Sequence, residues 1–239
     1  MNLFKYFSIL AGLGTFLITV FLALALVAGN LAGNDKAVFT MALILILLWI
    51  GVFGGLSFLF RDKIKSWVIS LPGCWQNKFL LFAVGLALVE EAIAVTLTNL
   101  AGYFGGVEGE AFITASANYF EVIFFASVIV FIPMFWLWTK LLEKYNFKPY
   151  EVMVLFGLTG WLAEVVAFDG SYNLLLIFWI FVYGLMVYLP AYSLPERKGT
   201  RRPPRVVYFE AVILPILVAI PVIILISILK AVFDIEMFV

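Results

Sequence analysis

The stretch Phe79-Leu80-Leu81-Phe82-Ala83-Val84-Gly85-Leu86-Ala87-Leu88-Val89-Glu90-Glu91-Ala92-Ile93-Ala94-Val95-Thr96-Leu97-Thr98-Asn99 decides the fold class. It runs apolar from Phe79 to Val89, meets two adjacent glutamates, and resumes as Ala92-Ile93-Ala94-Val95. At about 1.5 Å per residue, a helix of this length spans about 30 Å, the thickness of a bilayer's hydrocarbon core. Backbone groups in lipid must bond internally, so the segment reads as a transmembrane helix with two carboxyls near its middle. No ten-residue alternating pattern recurs along the chain, which argues against an outer-membrane barrel.

Working outward, six further apolar segments join it. The seven expected helices cover about 8–28, 37–60, 79–104, 119–142, 150–168, 172–192 and 209–233. The composition agrees: 65% of the 239 residues are hydrophobic, 13% are charged, and mean hydropathy is +1.12. A soluble domain is about 45–50% apolar and about 25% charged. A disordered chain and an ordinary water-soluble domain are thereby excluded. The expected fold is an all-α integral membrane protein, a bundle of seven transmembrane helices forming one polytopic domain over 1–239. The first segment is longer than the apolar region of a cleaved leader and reads as a retained crossing.

Basic residues give the expected orientation. Lys5, the loop with Arg61, Lys63, Lys65 and Lys78, the loop with Lys140, Lys144 and Lys148, and the loop with Arg197, Lys198, Arg201, Arg202 and Arg205 fall on one side. These are thirteen of the fifteen basic residues; only Lys36 and Lys230 fall on the other. Basic loops stay in the cytoplasm. The N-terminus is therefore expected inside and the C-terminus outside, in the cell (cytoplasmic) membrane. The segment 61–79 mixes basic residues with Trp67 and Trp75 and reads as interfacial, with Pro72-Gly73 breaking any helix. Arg197, Lys198, Arg201, Arg202 and Arg205 are expected to contact anionic lipid headgroups.

Absences narrow the chemistry. The chain has no histidine and one cysteine, Cys74. The commonest acid–base group and metal ligand is missing, and no intramolecular disulfide exists. No metal, cofactor or nucleic-acid partner is expected.

Four carboxyls fall at membrane depth, where each is costly and marks an interior or a pathway. Residues three and four apart share a helix face. Ala87, Glu91, Ala94, Thr98 and Ala101 form one small, polar stripe, so Glu91 is expected to face the bundle interior with Glu90 at its border. Two adjacent carboxylates at this depth are not expected to ionise together. Glu164 shares a face with Gly157 and Gly160. Glu121 opens the fourth segment beside Asn118. Glu90, Glu91, Glu164, Glu121, Thr98 and Asn99 are therefore the expected lining of an acidic cavity between helices three, four and five. With no lysine or arginine at that depth, a proton or bound cation must neutralise it.

The segment Val89-Glu90-Glu91-Ala92-Ile93-Ala94-Val95 resembles the diglutamate motif of the CAAX-protease and bacteriocin-processing membrane protease superfamily. Phe156 to Glu164 resembles the later intramembrane glutamate of the related PrsW-type proteases. That resemblance implies an intramembrane enzyme in which a glutamate activates water. The chain departs from the pattern: Val95 or Ala94 stands where the motif has arginine, and both motif histidines are absent. The leading expectation is accordingly a proton- or cation-coupled carrier. A histidine-less relative of those enzymes, acting on a peptide, lipid or polyprenoid, and a non-catalytic subunit with a membrane-protein partner are the alternatives.

Overall fold

The computed structural model describes residues 3–29, 31–167, 177–197 and 199–233. Among them the chain is helical, and its only extended pairing is a single bridge between Tyr145 and Arg201. The helices are α1 (Leu3–Val27), α2 (Gly33–Ser70), α3 (Trp75–Asn99), α4 (Tyr119–Phe125), α5 (Val128–Lys144), α6 (Pro149–Ala167), α7 (Trp179–Tyr192) and α8 (Arg205–Phe233). A short 3₁₀ turn, Ala101–Phe104, follows α3.

Four of these helices, α1, α2, α3 and α8, are long and apolar enough to cross a membrane, and a fifth crossing is made if α4 and α5 count as one. Their large apolar side chains face outward: Leu13, Phe16 and Leu24 on α1, Leu47 and Leu59 on α2, Ile224 and Ile228 on α8 are all exposed. Water would penalise such a surface by about 25 cal/mol per Å², whereas lipid accepts it. The protein is membrane-embedded.

The structure departs from the sequence expectation in three places. First, α2 does not stop at residue 60 but continues to Ser70, carrying Arg61, Lys63 and Lys65 on helix. Pro72 and Gly73, the latter at φ +104°, then end it. Within α2, Ile46–Phe53 widens into a π-helical turn. Its Trp49 is fully buried, stacks on Phe53 and donates Nε1–H to the Val182 carbonyl of α7 at 3.0 Å. Second, the expected helix 119–142 is broken: α4 and α5 meet at 44°. The amides of Ala126 and Ser127 both donate to the Val122 carbonyl, at 3.3 and 2.9 Å, so the regular i→i−4 ladder is lost there. Third, of the segment 172–192 the described residues 177–192 form a turn at Ile177-Phe178 followed by α7, fourteen residues long; 172–176 lie outside the described residues.

Glycines set the tightest packing. α6 lies against α7 so closely that a Cβ on Gly157 would strike the Ile180 carbonyl, one on Gly160 the Tyr183 ring, and one on Gly184 would lie 2.7 Å from the Met153 carbonyl oxygen. In lipid, helices associate through such close van der Waals contact rather than through a hydrophobic drive. α8 packs on α5 and α6, and α3 on α5 and α7, while α1 packs on α2 and α6 and lies with Gly12 against Phe181 of α7.

The two ends of the bundle differ in charge. At one end the three basic loops converge. Tyr192 at the end of α7 donates to Asp62 at 2.6 Å and accepts from Arg61 Nε at 3.3 Å, both on α2. Gln76 of α3 donates to Glu143 of α5 at 3.1 Å. The Asn146 amide donates to the Arg201 carbonyl at 2.8 Å. At the other end, Asn34 donates to Glu110 at 3.0 Å and accepts from the Val107 amide at 2.8 Å, tying the start of α2 to the loop after α3.

The basic loop before α8 is not simply laid against headgroups. Arg202 forks onto Glu151 with N–O distances of 3.1 and 3.2 Å and also donates to the Asn146 carbonyl at 2.9 Å. Glu151, at the start of α6, is 0% exposed and accepts from the Lys148 amide at 2.7 Å. The bidentate bond holds the guanidinium above its usual range. Arg197 donates to the Leu142 carbonyl. Two of the five expected headgroup contacts are thus engaged with the protein itself. The reason is that the last carbonyls of α5 and the first turn of α6 need partners, and long basic side chains supply them. Arg201 and Arg205 are exposed, and Lys198 lies outside the described residues.

Candidate functional site

The diglutamate sits where α3 is enclosed by α4, α5 and α7. Glu91 is 7% exposed and Glu90 is 4% exposed. The expected stripe is buried throughout: Ala87, Ala94, Thr98 and Ala101 are each nearly inaccessible. Its alanines leave room for neighbours to approach, and the approach brings polar groups. Thr114, from the loop that returns along α3, donates Oγ1–H to Glu91 Oε2 at 3.1 Å. Ser127, at the α4–α5 break, lies beside the same carboxyl. Tyr119 on α4 donates to the Leu88 carbonyl at 2.7 Å, one turn before Glu91.

Glu164 arrives from α6. Its Oε1 accepts from the Tyr183 hydroxyl of α7. The Tyr183 ring is held on three sides, by Gly160, by Phe131 at 5.8 Å and by Trp179 at 5.6 Å between centroids. α7 thereby links the two glutamate-bearing helices, packing on α3 and on α6. No lysine or arginine pairs with Glu90 or Glu91 among the described residues, where the ion pairs are elsewhere, Lys140–Glu143 and Arg202–Glu151. Glu90 makes no hydrogen bond to a described residue.

The other expected lining residues do different work. Glu121 accepts from Ser116 Oγ at 2.7 Å and from Asn118 Nδ2 at 3.1 Å. Asn118 is itself the N-cap of α4, accepting from the Phe120 amide at 3.0 Å. Glu121 therefore closes a helix cap, where a carboxylate in the first turn is favoured. Thr98 accepts from the Ile113 amide at 3.3 Å, and Asn99 donates to the Ala117 carbonyl at 3.0 Å. These two fasten the loop that carries Thr114. Sequence reading missed Thr114, Tyr183 and Ser127, because each reaches the carboxyls through a contact that no helical periodicity reports.

The glycine at position 160 positions Tyr183. Gly160→Ala is expected to cost about 1–3 kcal/mol by overpacking, read as a lowered melting temperature in detergent. Tyr183→Phe keeps the ring and is expected to cost less.

A helical, membrane-embedded protein with a buried diglutamate is the class that fold and site define. Among the described residues no group of three or more Cys, Asp or Glu is arranged to hold a metal ion. No protein-family model matches the chain, and neither a curated protein nor a solved structure matches it.

Proposed function

We propose that the protein is a proton-coupled membrane carrier whose coupling site is Glu90, Glu91 and Glu164 with Tyr183. One observation supports this reading: two adjacent carboxyls, Glu90 and Glu91, are buried within an apolar helix, and no lysine or arginine among the described residues pairs with either. Such a cluster is neutral only when protonated or occupied by a cation, so each change of occupancy changes its charge by a full unit. Ionising it costs about 2.5–3.5 kcal/mol per carboxyl on insertion scales. That cost favours proton release only where water reaches the site, which is the coupling a carrier needs. The break between α4 and α5 and the π-helical turn in α2 both adjoin helices that carry the site. Such irregularities supply places where backbone can rearrange.

The reading includes a topology. All seven apolar segments cross the cytoplasmic membrane, with the N-terminus inside and the C-terminus outside. The convergence of the three basic loops at one end of the bundle supports an odd number of crossings, because inserting or omitting a helix would separate those loops. Cys74 tests it. This sole cysteine is exposed, between α2 and α3 at the basic end. A membrane-impermeant maleimide is expected to label it in inside-out vesicles and not in intact cells. Labelling of intact cells would reverse the assignment.

The functional test is reconstitution. Vesicles containing the protein and an internal pH dye are expected to show proton movement driven by an imposed gradient of a candidate cationic substrate. Flux that persists when the three carboxyls are replaced would remove the carrier reading.

A further inference from the structure

At the basic end of the bundle, the last turn of α2, the first turn of α3 and the end of α7 enclose a cavity of about 210 Å³. Its apolar walls include Val68, Phe79, Phe82 and Leu194. Lys78 and Ser193 also line it, and no carboxylate does. The nearest acid along the chain, Glu196, lines the adjoining recess beyond Leu194 and Pro195.

Three observations give this cavity a chemical character. Lys78 donates one N–H to the Ile69 carbonyl at 2.9 Å, in the last turn of α2. An ammonium has three N–H groups, so two remain. Trp75, also in the wall, has the Arg197 guanidinium 5.7 Å from its ring centroid, which places a second cation at the rim. Ser193 is 3% exposed and its Oγ has no hydrogen-bond partner. Among the described residues only Trp138 Nε1 shares that condition. A buried hydroxyl without a partner is costly, by about 1–3 kcal/mol, and points to a partner that the protein does not itself provide.

We propose that this cavity holds the phosphate headgroup of an anionic membrane lipid. Lys78 pairs with the phosphate, and Arg197 adds its positive charge from beyond Trp75 while it holds the Leu142 carbonyl. Ser193 donates to the phosphate, and the acyl chains leave along Ile69, which lines the cavity and is exposed. Basic pockets between transmembrane helices on the cytoplasmic side suit such headgroups. The volume fits a headgroup and not a whole lipid, and the tryptophan-flanked position matches the headgroup level of a bilayer. The site is separate from the glutamate cluster and does not depend on the carrier reading.

The test uses the whole purified chain in mild detergent. It is titrated in parallel with phosphatidylglycerol, with phosphatidylcholine of the same chain length, and with inorganic phosphate, and bound species are read by native mass spectrometry. Phosphatidylglycerol is expected to bind roughly tenfold more tightly than phosphatidylcholine. Lys78→Gln is expected to remove that preference, Lys78→Arg to keep it, and Lys230→Gln, at the far end of α8, to leave it unchanged. Lys78 also satisfies the end of α2, so Lys78→Gln risks misfolding. Ser193→Ala then carries the test, because removing an unpartnered hydroxyl leaves the lipid-free protein as stable or more so, while lipid affinity falls. Equal affinity for the two lipids overturns the proposal, as does unchanged preference in both Lys78→Gln and Ser193→Ala. Inorganic phosphate binding as tightly as phosphatidylglycerol overturns the lipid assignment in favour of a soluble phosphate.

Discussion

Replacing Glu91 and Glu164 together by glutamine is expected to reduce substrate-driven proton flux in reconstituted vesicles to the level of protein-free vesicles, with folding intact. Glutamine matches glutamate in shape and retains a carbonyl oxygen. At position 91 it still accepts from Thr114, and at 164 from Tyr183. What it loses is the ability to bind and release a proton. Stability moves in the opposite direction at Glu90. That side chain is buried and makes no hydrogen bond to a described residue. Glu90→Leu is expected to raise the melting temperature, because an apolar group replaces a buried polar one with no partner to lose. A structural carboxyl gives the reverse pattern: flux unaffected and stability reduced. Full flux in the double variant would sink the proposed site. Glu121→Gln serves as the comparison. Its oxygens are taken by Ser116 and Asn118, so the variant is expected to loosen the cap of α4 and leave flux unchanged.

The second large effect concerns Arg202. Arg202→Ala is expected to destabilise the protein by about 2–4 kcal/mol, seen as a lowered melting temperature and faster proteolysis of the loop before α8. The physical reason is asymmetric burial. The Glu151 side chain is 0% exposed while that of Arg202 is 51% exposed. Removing the arginine leaves a buried carboxylate with only uncharged donors, the Lys148 amide and the Tyr208 hydroxyl. Removing the carboxylate leaves a guanidinium that water reaches. Glu151→Gln is therefore expected to cost clearly less than Arg202→Ala. The double variant Glu151→Leu with Arg202→Met is expected to recover part of the loss, since apolar replacement of a whole buried pair is often close to neutral. Equal costs for the two single changes would overturn the argument from unequal burial.

These two sites differ in how far the sequence reveals them. Glu90 and Glu91 are conspicuous because a charge inside an apolar run violates the expected cost of burial. The small stripe through Ala87, Ala94 and Thr98 then gives the face, since 3.6-residue periodicity is a local property. Glu151 carries no such signal. It lies beside Lys148 and Pro149 at the end of a loop, where an acid is ordinary, and its partner is fifty-one residues away. Tyr183 is likewise one aromatic among many in an apolar helix until Gly160 brings its ring against α6.

The sequence by itself determined the class of protein, a helical membrane protein, the approximate extent of its apolar segments, the clustering of basic residues into alternate loops, and the carboxyls at membrane depth. Each of these follows from transfer energy summed along the chain, which needs no partner to evaluate. Only the tertiary structure decided the break between α4 and α5, the π-helical turn of α2, the clamp of Arg202 on Glu151, and the cavity at Lys78. It also decided which partner each glutamate takes. Glu121 is drawn into a cap, whereas Glu164 is bonded to Tyr183 across glycines that let α6 and α7 touch. These outcomes depend on contacts between residues far apart in the chain, and their energies exist only once the helices are packed.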